Sequence, residues 1–309
     1  GGDGWQLLAK TPGQMNQNIA FSGDSRIWIT GESTLAKTDD FGLTWEEYSE
    51  DYIDFYMYNI IAQKEGIVHP DKTWIICGHF DSISDITTRM FAAPGADDNA
   101  SGAAAVIEAA RVFQKYDFNY TTKFILFDAE ERGKLGSEFY VEQAFNAGEE
   151  IMGVINLDMI AYDSNDDGIF EINASEISTS QALGAYLNDN VADWTDLLVP
   201  HYTPDSGKRM SDHASFWTFG YPAIFIIEDF DDFAVGYHSL DDIVDYLNFP
   251  YYVQIARLAI VSLAELAEIS DPDIDVAAEN SEQPHRFSLS NPYPNPFNSF
   301  VTIPLTVQR

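Results

Sequence analysis

The sequence predicts an α/β protein: a three-layer α/β/α sandwich around a mixed, mostly parallel sheet, with a small N-terminal β element and a C-terminal β segment. Three observations carry this expectation. Between about residues 55 and 268, short apolar runs ending in polar or charged residues alternate with longer amphipathic segments, the pattern of strand–helix–strand units whose sheet is covered on both faces. The first fifty residues instead alternate short β-type runs with Gly, Asp and Ser turns and have no helical period. Past Ile269 the chain turns to Asp, Glu, Ser and Pro through about Pro284, a linker composition, before a second β-type run.

In the N-terminal element (residues 1–50), Arg26 to Thr30 and Thr34 to Lys37 are the β-type runs. Thr38 to Trp45 reads either as a turn similar to the Asp-box of propeller repeats or as an ordinary hairpin over a core Trp, and neither reading assigns chemistry to it. In the central domain (51–269), Tyr58 to Ala62, Thr73 to Cys77, Lys123 to Phe127, Gly153 to Leu157 and Ala223 to Ile227 read as central strands. Ser101 to Lys115 reads as an N-capped helix with Val106, Ala110 and Phe113 on one face; Gly136 to Phe145, Ser178 to Leu187 and Pro250 to Ile269 are further helices. Asp163 to Gly168 fits the first half of a calcium loop, but position twelve would be Ala174 instead of Glu. Lying between the β-like runs Met159 to Tyr162 and Ile169 to Ile172, it is expected to be a hairpin turn. Residues 270–309 form a linker and a final β segment, Val301 to Leu305.

Composition narrows the function. Sixteen Lys+Arg against 50 Asp+Glu leave a formal charge of −34, which excludes a nucleic-acid binder. With 45% hydrophobic residues the chain has material for a core, so the acidity is a solvated surface. Spread along the whole chain, it fits an adaptation to high salt better than focused steering of cationic substrates. No apolar run reaches the roughly 18 residues of a membrane span. Cys77 is the only cysteine, inside the apolar run Trp74–Cys77, so no intrachain disulfide forms. Beginning at Gly1-Gly2-Asp3 without an initiator Met or apolar leader, the chain is expected to be processed or partial.

Ligands of open α/β sheets collect at the carboxyl ends of the strands. There the sequence places Gly78-His79-Phe80-Asp81-Ser82, Asp128-Ala129-Glu130-Glu131, Asp158, and Glu228-Asp229 followed by Tyr237-His238-Ser239; Gly95-Ala96-Asp97-Asp98-Asn99 precedes a helix. Carboxylates and imidazoles on one rim need positive charge among them. Two His with three or four carboxylates are enough for two borderline-hard ions sharing one bridging carboxylate, zinc first among them. The adjacent Glu130 and Glu131 reach one cavity only where the chain turns out of the sheet, and Arg132-Gly133 supplies that turn.

In the order and content of these five motifs, Asp54 to Ile269 resembles the M28 zinc aminopeptidases and is similar to bacterial leucine aminopeptidases with two cocatalytic zincs. The resemblance implies a zinc exopeptidase fold in which His79 and Asp158 hold one zinc, Glu131 and His238 hold the other, and Asp98 bridges them. It makes Glu130 the general base acting on a zinc-bound water, and Asp81 the residue that orients the His79 ring. The implied protein is a two-zinc metallo-exopeptidase of peptide substrates, most simply an aminopeptidase. A carboxypeptidase, a single-zinc glutaminyl cyclase and an assembly protein that keeps the peptidase fold are the alternatives; the second ligand set argues against the cyclase.

The chain departs from the family between Tyr202 and Ser211, where characterised members carry a disulfide and a Tyr that contacts the reaction intermediate. Lys208 stands roughly at that Tyr position, and three roles stay open: donor to an oxyanion, partner of a substrate carboxylate, or solvated surface. His213 reads as a group of the pocket wall or of the layer behind the ligands instead of a third ligand, and Glu228 and Asp229 as surface carboxylates. Leu289 to Asn298 resembles the opening of the C-terminal sorting β-sandwich of secreted bacterial proteins, or is a Pro-rich turn. The first reading implies a secreted or cell-surface bacterial protein, with self-association or surface attachment through the terminal β segments.

Overall fold

The structure, a computed structural model, describes residues 57–84 and 93–270 in full and elsewhere the backbone of six short strands. Four of these, β1 (Asn16–Ser22), β2 (Arg26–Gly31), β3 (Leu35–Thr38) and β4 (Glu46–Tyr48), pair antiparallel in chain order. The Asp-box-like stretch after Thr38 lies outside the described residues. Residues 271–309 form a separate compact unit, in which two further strands pair antiparallel, Phe287–Leu289 with Leu305–Val307. The Pro-rich stretch Asn291 to Asn298 also lies outside the described residues.

Seven strands build the central sheet: β5 (Ile60–Lys64), β6 (His69–His79), β7 (Tyr120–Phe127), β8 (Glu150–Leu157), β9 (Ile169–Ala174), β10 (Val199–Thr203) and β11 (Ala223–Glu228). Their order is β10-β9-β11-β8-β6-β7-β5, with only the β9–β11 and β5–β7 pairings antiparallel. Side-chain alternation along the middle strands separates two cores. Ile75, Cys77, Ile125, Phe127 and Val154 pack against α2 (Leu135–Ala147) and α4 (His213–Thr218). Ile76, Phe124, Leu126, Ile155 and Leu157 pack with α1 (Ala100–Phe113), α3 (Ser178–Trp194) and α5 (Phe249–Leu266). Burial on both faces explains why these strands read as unbroken apolar runs, and the three-layer α/β/α sandwich is as expected.

Three local expectations are corrected. The strand expected at Tyr58 to Ala62 is β5, an antiparallel edge strand with Ile60 and Ile61 exposed, not a central one. Met159 to Tyr162 is not a strand, because its backbone amides turn aside from the ladder. Those of Met159, Ile160 and Ala161 donate to Asn99 Oδ1, Ser101 Oγ and Asp97 Oδ1. Asp163 to Gly168 is therefore no hairpin turn; it leads to β9, with β11 inserted between β8 and β9. Within the loop, the Asp163 carbonyl and one carboxylate oxygen each of Asp163 and Asp166 lie within reach of Asn248 Nδ2, and Asp167 Oδ1 accepts the Ile169 amide.

Candidate metal centre

The parallel strands β6, β7 and β8 end at one rim, and each delivers a functional side chain as its ladder stops. His79 is the last residue of β6, Glu130 and Glu131 sit in a 3-10 turn after β7, and Asp158 follows β8. Asp98 precedes Asn99, the N-cap of α1, and His238 comes from the segment after β11. His79 Nε2 lies 3.3 Å from Asp158 Oδ1 and 3.3 Å from Asp98 Oδ1. His238 Nε2 lies 3.1 Å from Asp98 Oδ2 and 3.1 Å from Glu131 Oε2. The two oxygens of Asp98 thus face different imidazoles, and the donors fall into two groups, His79/Asp98/Asp158 and Asp98/Glu131/His238, with Asp98 in common. All five expected ligands are brought together.

Backbone hydrogen bonds hold these groups in place. His79 Nδ1 lies 2.9 Å from the carbonyl oxygen of Asp81; a carbonyl only accepts, so Nδ1 carries a proton and Nε2 is the nitrogen turned toward the carboxylates. The Asp81 carboxylate is 3.5 Å from the same nitrogen and accepts the amides of Glu130 (3.0 Å) and Glu131 (3.2 Å). Asp81 therefore orients His79 chiefly through its carbonyl and uses its carboxylate to aim the adjacent glutamates. The turn that lets both glutamates reach one cavity begins with Ala129 at φ 56° and closes with Gly133 at φ 99°, where glycine has no Cβ to crowd the carbonyl. Asp98 is fixed from behind: Asp242 accepts the amides of Asp97 (2.8 Å) and Asp98 (3.0 Å). Asn99 caps α1 through Gly102 N and donates to the carbonyl of Leu157, beside Asp158. Gly102 permits this approach, since a Cβ there would lie 2.4 Å from the Leu157 oxygen.

Sequence reasoning missed Asp242 and gave no role to Asn99 or to Tyr237, whose ring stacks on His238 at 3.7 Å. Only Asn99 carried a signal, as an N-cap residue before an apolar period. Glu228 is a correction: expected on the surface, it is fully buried at the end of β11. Its Oε1 accepts the amide of Ala234, and burial with the neighbouring Asp97 pushes its pKa up to about 12, which favours the protonated form. Asp229 is likewise buried. His213 belongs to neither donor group and does not line the cavity: buried behind its wall, it stacks on Phe225 and donates from Nε2 to the Lys208 carbonyl.

The charge balance of the site asks for cations. Burial raises the carboxyl of Glu130 to about 9, with Asp158 and Asp212 adding to the shift. Burial also raises Glu131, whose buried Oε1 has no hydrogen-bond partner. At His238 burial opposes protonation, but Asp98 and Glu131 outweigh it and lift the imidazole to about 10. At each imidazole the carboxylates favour a proton where a cation of higher charge would fit. Two imidazole nitrogens and shared carboxylate oxygens form a donor set that suits zinc, so the residues fit a metal pair. The cavity above them has an apolar wall of Met159, Met210, Phe225, Ile227, Phe233 and Tyr237. A larger cleft of about 510 Å³ beside Tyr186 and Trp194 is lined by none of these metal-centre residues.

A zinc-exopeptidase-like sheet with paired donor groups at its rim defines the class of protein. Residues 59–263 match Peptidase family M28, and the chain belongs to that family. Leucine aminopeptidase 1 of Penicillium rubens is 30% identical over 258 residues, covering 79% of this chain and 65% of that protein. The LapA aminopeptidase of Legionella pneumophila is 29% identical with a TM-score of 0.57, covering 68% of this chain and 56% of that one. A glutaminyl cyclase of Porphyromonas gingivalis, 21% identical with a TM-score of 0.54 over 68% of this chain and 78% of its own, shares the fold alone. The chain spans about three fifths of the length of the curated relatives it matches.

Proposed function

We propose that this chain is a secreted or cell-surface two-zinc aminopeptidase that releases apolar N-terminal residues from peptides. The observation that carries the reading is Asp98, whose Oδ1 and Oδ2 each complete a separate donor group. Zinc bound here supplies Lewis acidity toward a carbonyl oxygen and toward water. His79, Asp158 and Asp98 hold one ion, and Glu131, His238 and Asp98 hold the other.

Glu130 stands in the same cavity but in neither donor group. Burial is the largest cause of its raised pKa, with Asp158, Asp212 and Glu131 adding to it, and cations held by the two donor groups would oppose these and favour the ionised carboxylate. It then takes a proton from the attacking water and delivers it to the leaving amine. The apolar wall receives the first side chain. The second donor group favours this reading over a single-zinc cyclase. An extracellular setting is supported by the resemblance of Leu289 to Asn298 to a sorting segment.

The test is hydrolysis of leucyl-p-nitroanilide by zinc-loaded protein, with acetyl-leucyl-p-nitroanilide and a Gln-initiated peptide beside it. Cleavage of the free-amine substrate alone is expected. Cyclisation of the Gln peptide, or equal cleavage of the acetylated anilide, would contradict the proposal.

A further inference from the structure

One basic side chain outside the cavity lining joins two segments that the sheet does not connect. Lys208 lies in the loop between β10 and α4, just after Gly207 at φ 61°. Its carbonyl accepts from the buried His213 Nε2 at 2.8 Å. Its ammonium lies 3.5 Å from the centre of the Phe230 ring and 4.0 Å from Glu171 Oε2. Glu171 is buried on β9, its other oxygen 2.8 Å from His201 Nδ1, while Oε2 has no hydrogen-bond partner. Two residues beyond Lys208, Met210 lines the cavity. Phe230 begins the opposite wall: it stacks with Phe233, Phe233 meets Tyr237 edge-on, and Tyr237 stacks on His238.

We infer that Lys208 is a positioning residue that clamps the Met210 loop against the Phe230–His238 segment and thereby sets the size of side chain the cavity accepts. The partners of the ammonium are an aromatic face and a buried carboxylate, which together satisfy its charge. This is neither the posture of an oxyanion donor nor that of a free cation awaiting a substrate carboxylate. Because the clamp acts on the apolar wall and not on the reacting atoms, it changes how well a large side chain is held, not the rate of bond breaking.

The inference rests on the aminopeptidase reading, so the test has a second readout that does not. Lys208→Met and Lys208→Arg are compared with the parent protein by kinetics on leucyl- and alanyl-p-nitroanilide and by hydrogen–deuterium exchange of peptides covering 203–212 and 229–238. In Lys208→Met the ratio of kcat/KM for leucyl over alanyl substrate falls about tenfold, through KM, the scale of one misfitted methylene in an apolar pocket. Exchange in 203–212 rises, and Lys208→Arg, which keeps cation–π and ion-pair contacts, restores both. A ratio within twofold of the parent, or equal kcat losses on both substrates, would overturn the clamp. If the parent cleaves neither anilide, the function proposal fails and exchange alone decides: no change in 203–212 sinks the clamp.

Discussion

Removing the Asp242 carboxylate should separate the support of the metal centre from the ligands themselves. Asp242 is 6% exposed, and its two oxygens accept the amides of Asp97 and Asp98 at 2.8 and 3.0 Å. Asp242→Ala leaves two buried N–H groups without acceptors. Each such group costs about 1–3 kcal/mol, so a loss of about 2–6 kcal/mol is expected, toward the lower end where water enters the space. Asp242→Asn keeps one acceptor oxygen and should lose roughly half as much. The Asp242 carbonyl still accepts from Ala96 in both variants, which keeps the segment docked. Urea unfolding of the metal-free proteins, followed by Trp fluorescence, measures the series; the midpoint moves while the slope stays constant. Zinc affinity should fall in the same order, because the Asp98 backbone is no longer held. An Asp242→Ala protein within about 0.5 kcal/mol of the parent, the scatter of neutral surface changes, would refute the reasoning.

Glu130→Gln should retain both metals and the fold while kcat falls on the order of 10²–10⁴-fold; unchanged turnover would remove Glu130 from the chemistry. Gly102→Ala should destabilise the protein by at least about 1–3 kcal/mol, because its methyl meets the Leu157 carbonyl and the Asn99 side chain; thermal unfolding checks it, and an unchanged midpoint would contradict the close approach. Burial, with the positive charge of Lys134 and Arg209, lowers His213 to about 3, against an ordinary value of 6.5 when unfolded. Between those values the unfolded chain binds the extra proton, so stability falls as pH falls through the window, by at most about 1.4 kcal/mol per unit. His213→Phe should flatten that part of a urea-midpoint profile, and an identical profile would show that His213 does not titrate on unfolding.

Much of this architecture was legible because its central strands are buried on both faces. Trp74 to Cys77 and Lys123 to Phe127 could hardly be anything else, and the polar residues after them could only lie at strand ends. Short or partly exposed elements were not legible. Strand β10 carries Pro200 and a half-exposed alternation, and α4 is six residues long, too short for a helical period to register. At the site, the ligands stood out as His and carboxylates ending apolar runs. Their supports did not, because the pairing of Asp242 with Asp98 spans 144 residues and leaves no local pattern. Glu228 misled for the same reason: a Glu at a strand end reads as solvated until Asp97 and the Ala234 amide are seen around it. Lys208 was visible as an oddity, but its role depends on Glu171 and Phe230, which only the fold brings near.

Metal stoichiometry tests most directly the proposed sharing of Asp98 between two zinc ions. Zinc per chain, measured by elemental analysis after exhaustive dialysis, should be two in the parent protein and about one in His79→Ala. In Asp98→Ala both ions should be depleted together, since each donor group loses a member. Two zincs retained in Asp98→Ala, or a parent protein that binds only one, would contradict it.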